Sequence, residues 1–225
     1  GHSLGEYTAW RAAGALDYKT AIKLEEKRGQ FMQQAVPAGE GAMAAILGLD
    51  DDTVKAVCQQ ASDAGIVEAV NFNSTGQVVI AGSKSAVDKA VLIATEKGAK
   101  RALLLPVSVP SHCALMRPAA EKLSAELESV SIQTPLIPVI HNTSVTATSD
   151  PDQIRQLLAQ QLYNPVRWVE TVEWFAAQDV EILVECGPGK VLAGLTKRID
   201  KSLQALPVFD SATLQKTQEV LGEPS

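Results

Sequence analysis

Short apolar runs of strand length alternate along this 225-residue chain with stretches of helical length, and a glycine-flanked serine stands directly before the first of those helices. Together these predict an α/β fold. A third observation refines the prediction: between residues 41 and 107 the order is strand, helix, strand, strand, helix, strand, which reads as a small βαββαβ subdomain inserted into a larger domain made of residues 1–40 and 108–225. The composition permits this. With 46% hydrophobic and 20% charged residues the chain can bury a core, and at this length one large domain carrying a smaller one is favoured over independent modules.

Taken in order, residues 4–13 contain no breaker and stop at Gly14, and residues 18–35 run from a capping Asp17 to Pro37, so both read as helices. Residues 42–47 form an apolar strand, 51–64 a helix, 66–70 and 77–81 two strands, 85–97 a helix and 101–105 a last strand. That order is the ferredoxin-like arrangement. Beyond Pro110 longer helices return. Residues 118–128 open with a proline where the first turn tolerates a missing N–H, and residues 151–161 do the same after a capping Asp150. Residues 138–141 and 181–185 read as short strands, the second running into Gly187-Pro188-Gly189 and a helix through Arg198. Residues 144–150 are the most loop-like stretch.

Charge and cysteine usage exclude several classes. Twenty basic against 26 acidic side chains give a net charge of −6, which argues against a general nucleic-acid or anionic-membrane surface. No apolar run approaches the roughly 18 residues of a membrane span. Cys58, Cys113 and Cys186 are odd in number with no CxxC spacing, which fits neither a disulfide framework nor a zinc site; a reducing cytosol is the simplest home. The first residues carry neither a signal-peptide pattern nor an initiator Met, so the numbered chain is expected to begin inside a longer protein.

Gly1-His2-Ser3-Leu4-Gly5 is a complete G-x-S-x-G. Its physics is a tight strand-to-helix turn that leaves the serine strained and exposed, as in an α/β-hydrolase-like core, with the Leu4 N–H at the helix start available to an oxyanion. By itself the pentapeptide is equally well a glycine-rich loop. A hydroxyl nucleophile needs a base, and imidazole is the side chain that exchanges a proton near neutral pH. Three are present. His2 is expected to point away from Ser3 and to pack, and His141 reads as a core or rim histidine. His112, in the proline-marked loop Val109-Pro110-Ser111-His112-Cys113, is placed to reach across a cleft. Cys113 reads as packing. Gly187-Pro188-Gly189 lacks the remaining residues of a phosphate loop and reads as a structural turn.

Gly1-His2-Ser3-Leu4-Gly5-Glu6, Lys27-Arg28-Gly29 and Val109-Pro110-Ser111-His112 occur in this order with Asn71-Phe72-Asn73-Ser74, the run from Gln77 to Gly82, the run from Gln161 to Val166, and the run from Glu185 to Lys190. With these motifs the sequence resembles the malonyl-CoA:acyl carrier protein transacylases, closest to the discrete bacterial type, over essentially all its residues. The resemblance implies Ser3 as nucleophile, His112 as base and Arg28 as the clamp for the free carboxylate of a malonyl group. It implies further that Gln161, or a backbone carbonyl near Asn164, orients His112 in place of an aspartate. The second oxyanion donor of the family, a glutamine near the domain start, falls outside this sequence. Without the resemblance Arg28 reads as one more residue of a solvated helix face beside Lys23, Glu25, Glu26 and Lys27.

Asn71 and Asn73, with Gln77, could line an acyl pocket or simply be turn residues. Lys190, Lys197, Arg198 and Lys201 recur on or near one predicted helix, either as a basic patch for an acidic carrier protein or as a solvated face. The implied activity is ping-pong transfer of malonyl from coenzyme A to the phosphopantetheine thiol of acyl carrier protein, in fatty acid biosynthesis, with no metal or bound cofactor and a monomer as default. Three alternatives remain open: a serine esterase or thioesterase using water, a malonyltransferase of a polyketide pathway, and an inactive carrier-binding module.

Overall fold

The computed structural model describes residues 1–107 and 109–222, in two units, Gly1–Trp168 and Val169–Ser225. The domain boundary expected at 107/108 abuts Ser108, which lies outside the described residues. In the first unit, helices α1 (Leu4–Ala12), α2 (Tyr18–Ala35), α5 (Arg117–Glu128) and α6 (Pro151–Gln160) surround one core built on Tyr7, Trp10, Leu24, Met116, Leu123, Leu127, Ile154 and Leu158. Their starts are written locally. The Asp17 carboxylate accepts the Thr20 N–H and Asp150 accepts the Asp152 N–H, each cap contributing about 1 kcal/mol. On α2 the buried residues are Ala21, Leu24, Arg28 and Met32, a three-and-four spacing that carries an arginine inward on an otherwise apolar stripe.

Between α2 and α5 along the chain comes a four-stranded sheet of β1 (Gly41–Leu47), β2 (Val67–Ser74), β3 (Gln77–Ser83) and β4 (Arg101–Leu104) in the order β2-β3-β1-β4, every neighbouring pair antiparallel. Alternation sends Ala44 and Ile46 to the face covered by α3 (Asp51–Ala61) and α4 (Lys84–Glu96). There they join Val54, Val57, Val78, Ile80, Val87 and Ala90 in a second core confined to residues 42–102. Met43, Val79 and Ala81 point the other way and pack on Cys113. β2 runs past its expected end at 70 because register shifts between Ala69 and Asn71 and between Phe72 and Ser74 break the alternation that marks a strand in sequence. Its middle is stapled to a later loop: the Phe72 N–H donates to Val166 O at 3.1 Å, and the Val166 N–H donates to Val70 O at 2.8 Å.

Residues 138–141 are not a strand; Ile140 makes only an isolated bridge to Ala147. Pro135 and Pro138 remove two donors, and the N–H groups of His141 and Asn142 are committed to Thr146 O and the Glu6 carboxylate. Sequence periodicity left three later elements unassigned: α7 (Trp168–Ala177), β6 (Gln204–Val208) and α9 (Ser211–Leu221). In the second unit β6 pairs parallel with β5 (Ile182–Cys186), and α8 (Val191–Ile199) connects them.

Candidate active site

Ser3 occupies the N-cap of α1 with φ 52° and ψ −107°, a conformation costing about 1–3 kcal/mol that tertiary contacts must hold. Gly1 makes the turn possible, since a Cβ there would stand 2.0 Å from Gly5 O. Gly5 itself has open space around the equivalent position, so the close approach is made at the first glycine of the motif alone. The Asn142 side chain clamps the turn: its Oδ1 accepts the Ser3 N–H at 2.7 Å and its Nδ2 donates to Gly1 O at 2.7 Å. The Leu4 N–H sits at the first helical position, where no carbonyl of the same helix can pair with it.

His112, buried and itself at φ 67°, meets Ser3 Oγ through Nε2 at 2.8 Å. Its Nδ1 lies 2.7 Å from Gln161 O. A carbonyl only accepts, so Nδ1 carries the proton and Nε2 presents its lone pair to the serine hydroxyl. Burial holds the His112 imidazole down at a pKa of about 3, and the Arg28 guanidinium opposes its protonation further. The imidazole is therefore neutral well below neutral pH. The partner of His112 is the Gln161 main-chain carbonyl, while the Gln161 side chain bonds Arg28, Ser3 O and Glu6.

Arg28, 7% exposed, lies over the Tyr7 ring at 5.3 Å, and its NH2 donates to Ser3 Oγ at 3.1 Å and to Gln161 Oε1 at 3.2 Å. Among the described residues no carboxylate forms an ion pair with it, and its buried Nε has no partner. Arg28 is thus a buried cation that touches Ser3 Oγ and has no carboxylate in contact, an arrangement in which an incoming anion would be stabilised. The remaining candidates sort plainly. His2 packs on Trp168 at 5.3 Å between ring centroids and its Nε2 meets Asn73 Oδ1 at 2.9 Å, which puts Asn73 beside the turn. Asn71 is buried at the Val166 staple. His141 is a core residue paired with Glu6. Cys113 is buried, donates to Pro110 O, and burial pushes its thiol up to about 12, which makes it no nucleophile.

In the second unit Lys190, Lys197, Arg198 and Lys201 are exposed, with Lys190 at the start of α8 and Lys197 and Arg198 in its last turn. Lys197 and Lys201 line a cavity of about 620 Å³ together with Lys216. At the start of α8 the Leu192 and Ala193 N–H groups donate to the Glu185 carboxylate at 3.1 and 2.7 Å, so these two amides are committed within the chain. Among the described residues no group of acidic, cysteine or histidine side chains is placed to hold a metal, and no helix is long and apolar enough to cross a membrane.

Sequence reasoning missed Glu6 and Asn142. Glu6, 1% exposed, accepts from His141 Nδ1 at 2.8 Å, from the Asn142 N–H at 3.0 Å and from Gln161 Nε2 at 2.8 Å. In sequence an acid in a helix's first turn reads as a solvated dipole partner, and only the position of Glu6 one turn behind the serine hinted otherwise.

Residues 1–221 match the family model described as the acyl transferase domain. The malonyl CoA-acyl carrier protein transacylase of Haemophilus influenzae is 57% identical over 221 residues, which is 98% of this chain and 71% of that protein. The crystal structure of the acyl-carrier-protein S-malonyltransferase of Burkholderia pseudomallei superposes with a TM-score of 0.96 at 56% identity, covering 97% of this chain and 71% of that one. A malonyl-transacylase solved in complex with a type II PKS acyl-carrier protein gives a TM-score of 0.96 at 53% identity, over 98% and 71% of the two chains. With the serine, the imidazole and the unpaired guanidinium in contact, these likenesses place the chain in the acyl transferase domain family, among the malonyl CoA-acyl carrier protein transacylases.

Proposed function

We propose that this chain is an [acyl-carrier-protein] S-malonyltransferase that moves malonyl from malonyl-CoA to the phosphopantetheine thiol of acyl carrier protein in fatty acid synthesis. Arg28 is the observation that carries this reading, because a buried guanidinium 3.1 Å from the nucleophile oxygen, without a carboxylate of its own, suits an acyl group that ends in one. His112 Nε2 accepts the Ser3 proton as Oγ attacks the thioester carbonyl. The oxygen that becomes negative is met by the Leu4 N–H, and collapse of the tetrahedral intermediate expels the coenzyme A sulfur, which takes the proton back from His112. The carrier thiol then loses its proton to His112 and attacks the malonyl ester, and collapse expels Ser3 Oγ, which takes that proton back from His112 Nε2 and regenerates the free serine. No step calls for a metal, since the thioester is already activated and positioning supplies the rest.

The same reading includes Asn71 and Asn73 as acyl-side lining and Lys190, Lys197, Arg198 and Lys201 as the docking face for the carrier. It takes residues 1–40 and 108–225 as an α/β-hydrolase-like core and 41–107 as a ferredoxin-like subdomain, supported by the sheet order and by a second core drawn entirely from residues 42–102. A monomer in the cytoplasm completes it. A polyketide carrier is the second reading, favoured by the likeness to a transacylase solved with a type II PKS carrier protein. The test is incubation with malonyl-CoA labelled in the malonyl group. Label held on the protein and discharged by added carrier supports the transferase; label appearing directly as free malonate supports the thioesterase.

A further inference from the structure

Arg28 reaches the Glu6 carboxylate through a single side chain. Gln161, fully buried, accepts from Arg28 NH2 through Oε1 at 3.2 Å and donates through Nε2 to Glu6 Oε2 at 2.8 Å and to Ser3 O at 3.1 Å. Chemistry fixes the amide orientation, because a guanidinium only donates and a carboxylate and a carbonyl only accept; the flipped amide would set two donors face to face. Cation, amide and carboxylate thus form one directional chain in a nearly dry interior, where such a chain is strengthened and its geometry is stiff. Glu6 is in turn fixed by His141 Nδ1 and the Asn142 N–H.

We propose that Glu6 is a positioning residue for acyl selectivity, acting through the Gln161 amide to aim the Arg28 guanidinium at the terminal carboxylate of the acyl group. The inference rests on the malonyl-transfer reading and deepens it. Glu6 touches neither Ser3 Oγ nor His112 in the described contacts, and Gln161 is the single side chain that bonds both Glu6 and Arg28, whereas the bond from the Asn142 N–H leads to the Ser3 turn. Without that anchor the amide turns, Oε1 leaves NH2, and the guanidinium loses one of its two side-chain acceptors.

The experiment measures kcat/KM for malonyl-CoA and acetyl-CoA in the parent, Glu6→Asp, Gln161→Leu, Arg28→Ala and the Glu6→Asp/Arg28→Ala double variant, with thermal melting of each. Aspartate keeps the charge but shortens the reach by about 1.5 Å. The malonyl-to-acetyl ratio should fall about tenfold in Glu6→Asp, since displacements of this size in a positioning shell cost up to about a hundredfold. In the Arg28→Ala background Glu6→Asp should leave the ratio where Arg28→Ala put it, the mark of two residues on one path. Gln161→Leu, which keeps the His112-orienting carbonyl, should lower the ratio as well, and it carries the test if Glu6→Asp melts as unfolded. An unchanged ratio in either single variant, or a further fall in the double variant, overturns the inference. The two levels separate cleanly: if the parent shows no malonyl preference the function reading fails, and if the parent prefers malonyl and Arg28→Ala abolishes that preference while Glu6→Asp does not, only the role of Glu6 fails.

Discussion

Lowering the pH is the perturbation that tests the active-site electrostatics most directly. An ordinary histidine titrates near 6.5, whereas burial, with Arg28 adding to it, holds His112 at about 3. Acyl loading measured as kcat/KM reports the free enzyme, so it should stay flat from pH 7 to below pH 5 instead of halving near 6.5. The malonyl complex differs. Once the substrate carboxylate pairs with Arg28, the second-largest cause of the depression is offset, and the acid limb of kcat for malonyl-CoA should lie above that of kcat/KM; acetyl-CoA, with no carboxylate, should show no such separation. Stability follows the same linkage. The imidazole is depressed in the folded state, so its contribution is present above pH 6.5 and is lost as the pH falls toward about 3. Each pH unit in that window is worth about 1.4 kcal/mol, which amounts to roughly 2 kcal/mol by pH 5. His2, also lowered by burial, acts in the same direction. Stopped-flow loading between pH 4 and 8 and urea midpoints of the parent and His112→Ala at pH 7 and 5 provide the numbers. A kcat/KM limb at 6.5, or a parent no more pH-sensitive in stability than His112→Ala, would refute the buried neutral base.

Ser3→Ala should abolish the malonyl adduct seen by intact-protein mass spectrometry while melting close to the parent, because it removes one half-buried hydroxyl and opens no apolar cavity; an adduct that persists would reassign the nucleophile. Arg28→Ala should lose malonyl transfer by about a hundredfold or more and keep acetyl transfer, with Arg28→Lys recovering little for want of the planar fork; equal losses for both substrates would make Arg28 structural. Charge reversal at Lys197 and Lys201 should raise KM for the carrier, more so at low salt, and leave malonyl loading from coenzyme A unchanged. A thiol reagent applied to the native protein should label Cys186, which is exposed, and leave Cys58 and Cys113 unmodified, their thiols being buried and pushed up to about 12.

What the sequence determined by itself is whatever local chemistry encodes. Asp17 and Asp150 cap the helices they were expected to cap, four strands and two helices of the subdomain follow one another in the expected order, and Gly1-His2-Ser3-Leu4-Gly5 makes a turn that a side chain at Gly1 would block. Even Arg28 is legible afterwards, since its spacing from Leu24 and Met32 puts it on the buried face of α2. Tertiary structure alone decided what is non-local. Ser3, Arg28, His112 and Gln161 come from four distant segments, and no periodicity reports that their side chains converge. Residues 138–141 have strand-like composition, but a strand also needs neighbouring backbone to pair with, and there the N–H groups of His141 and Asn142 go to a loop carbonyl and to Glu6. Glu6 shows the difference most sharply. An acid in a first helical turn is stable in water on local grounds, and it becomes a buried hub because three donors from separate parts of the chain replace that water together.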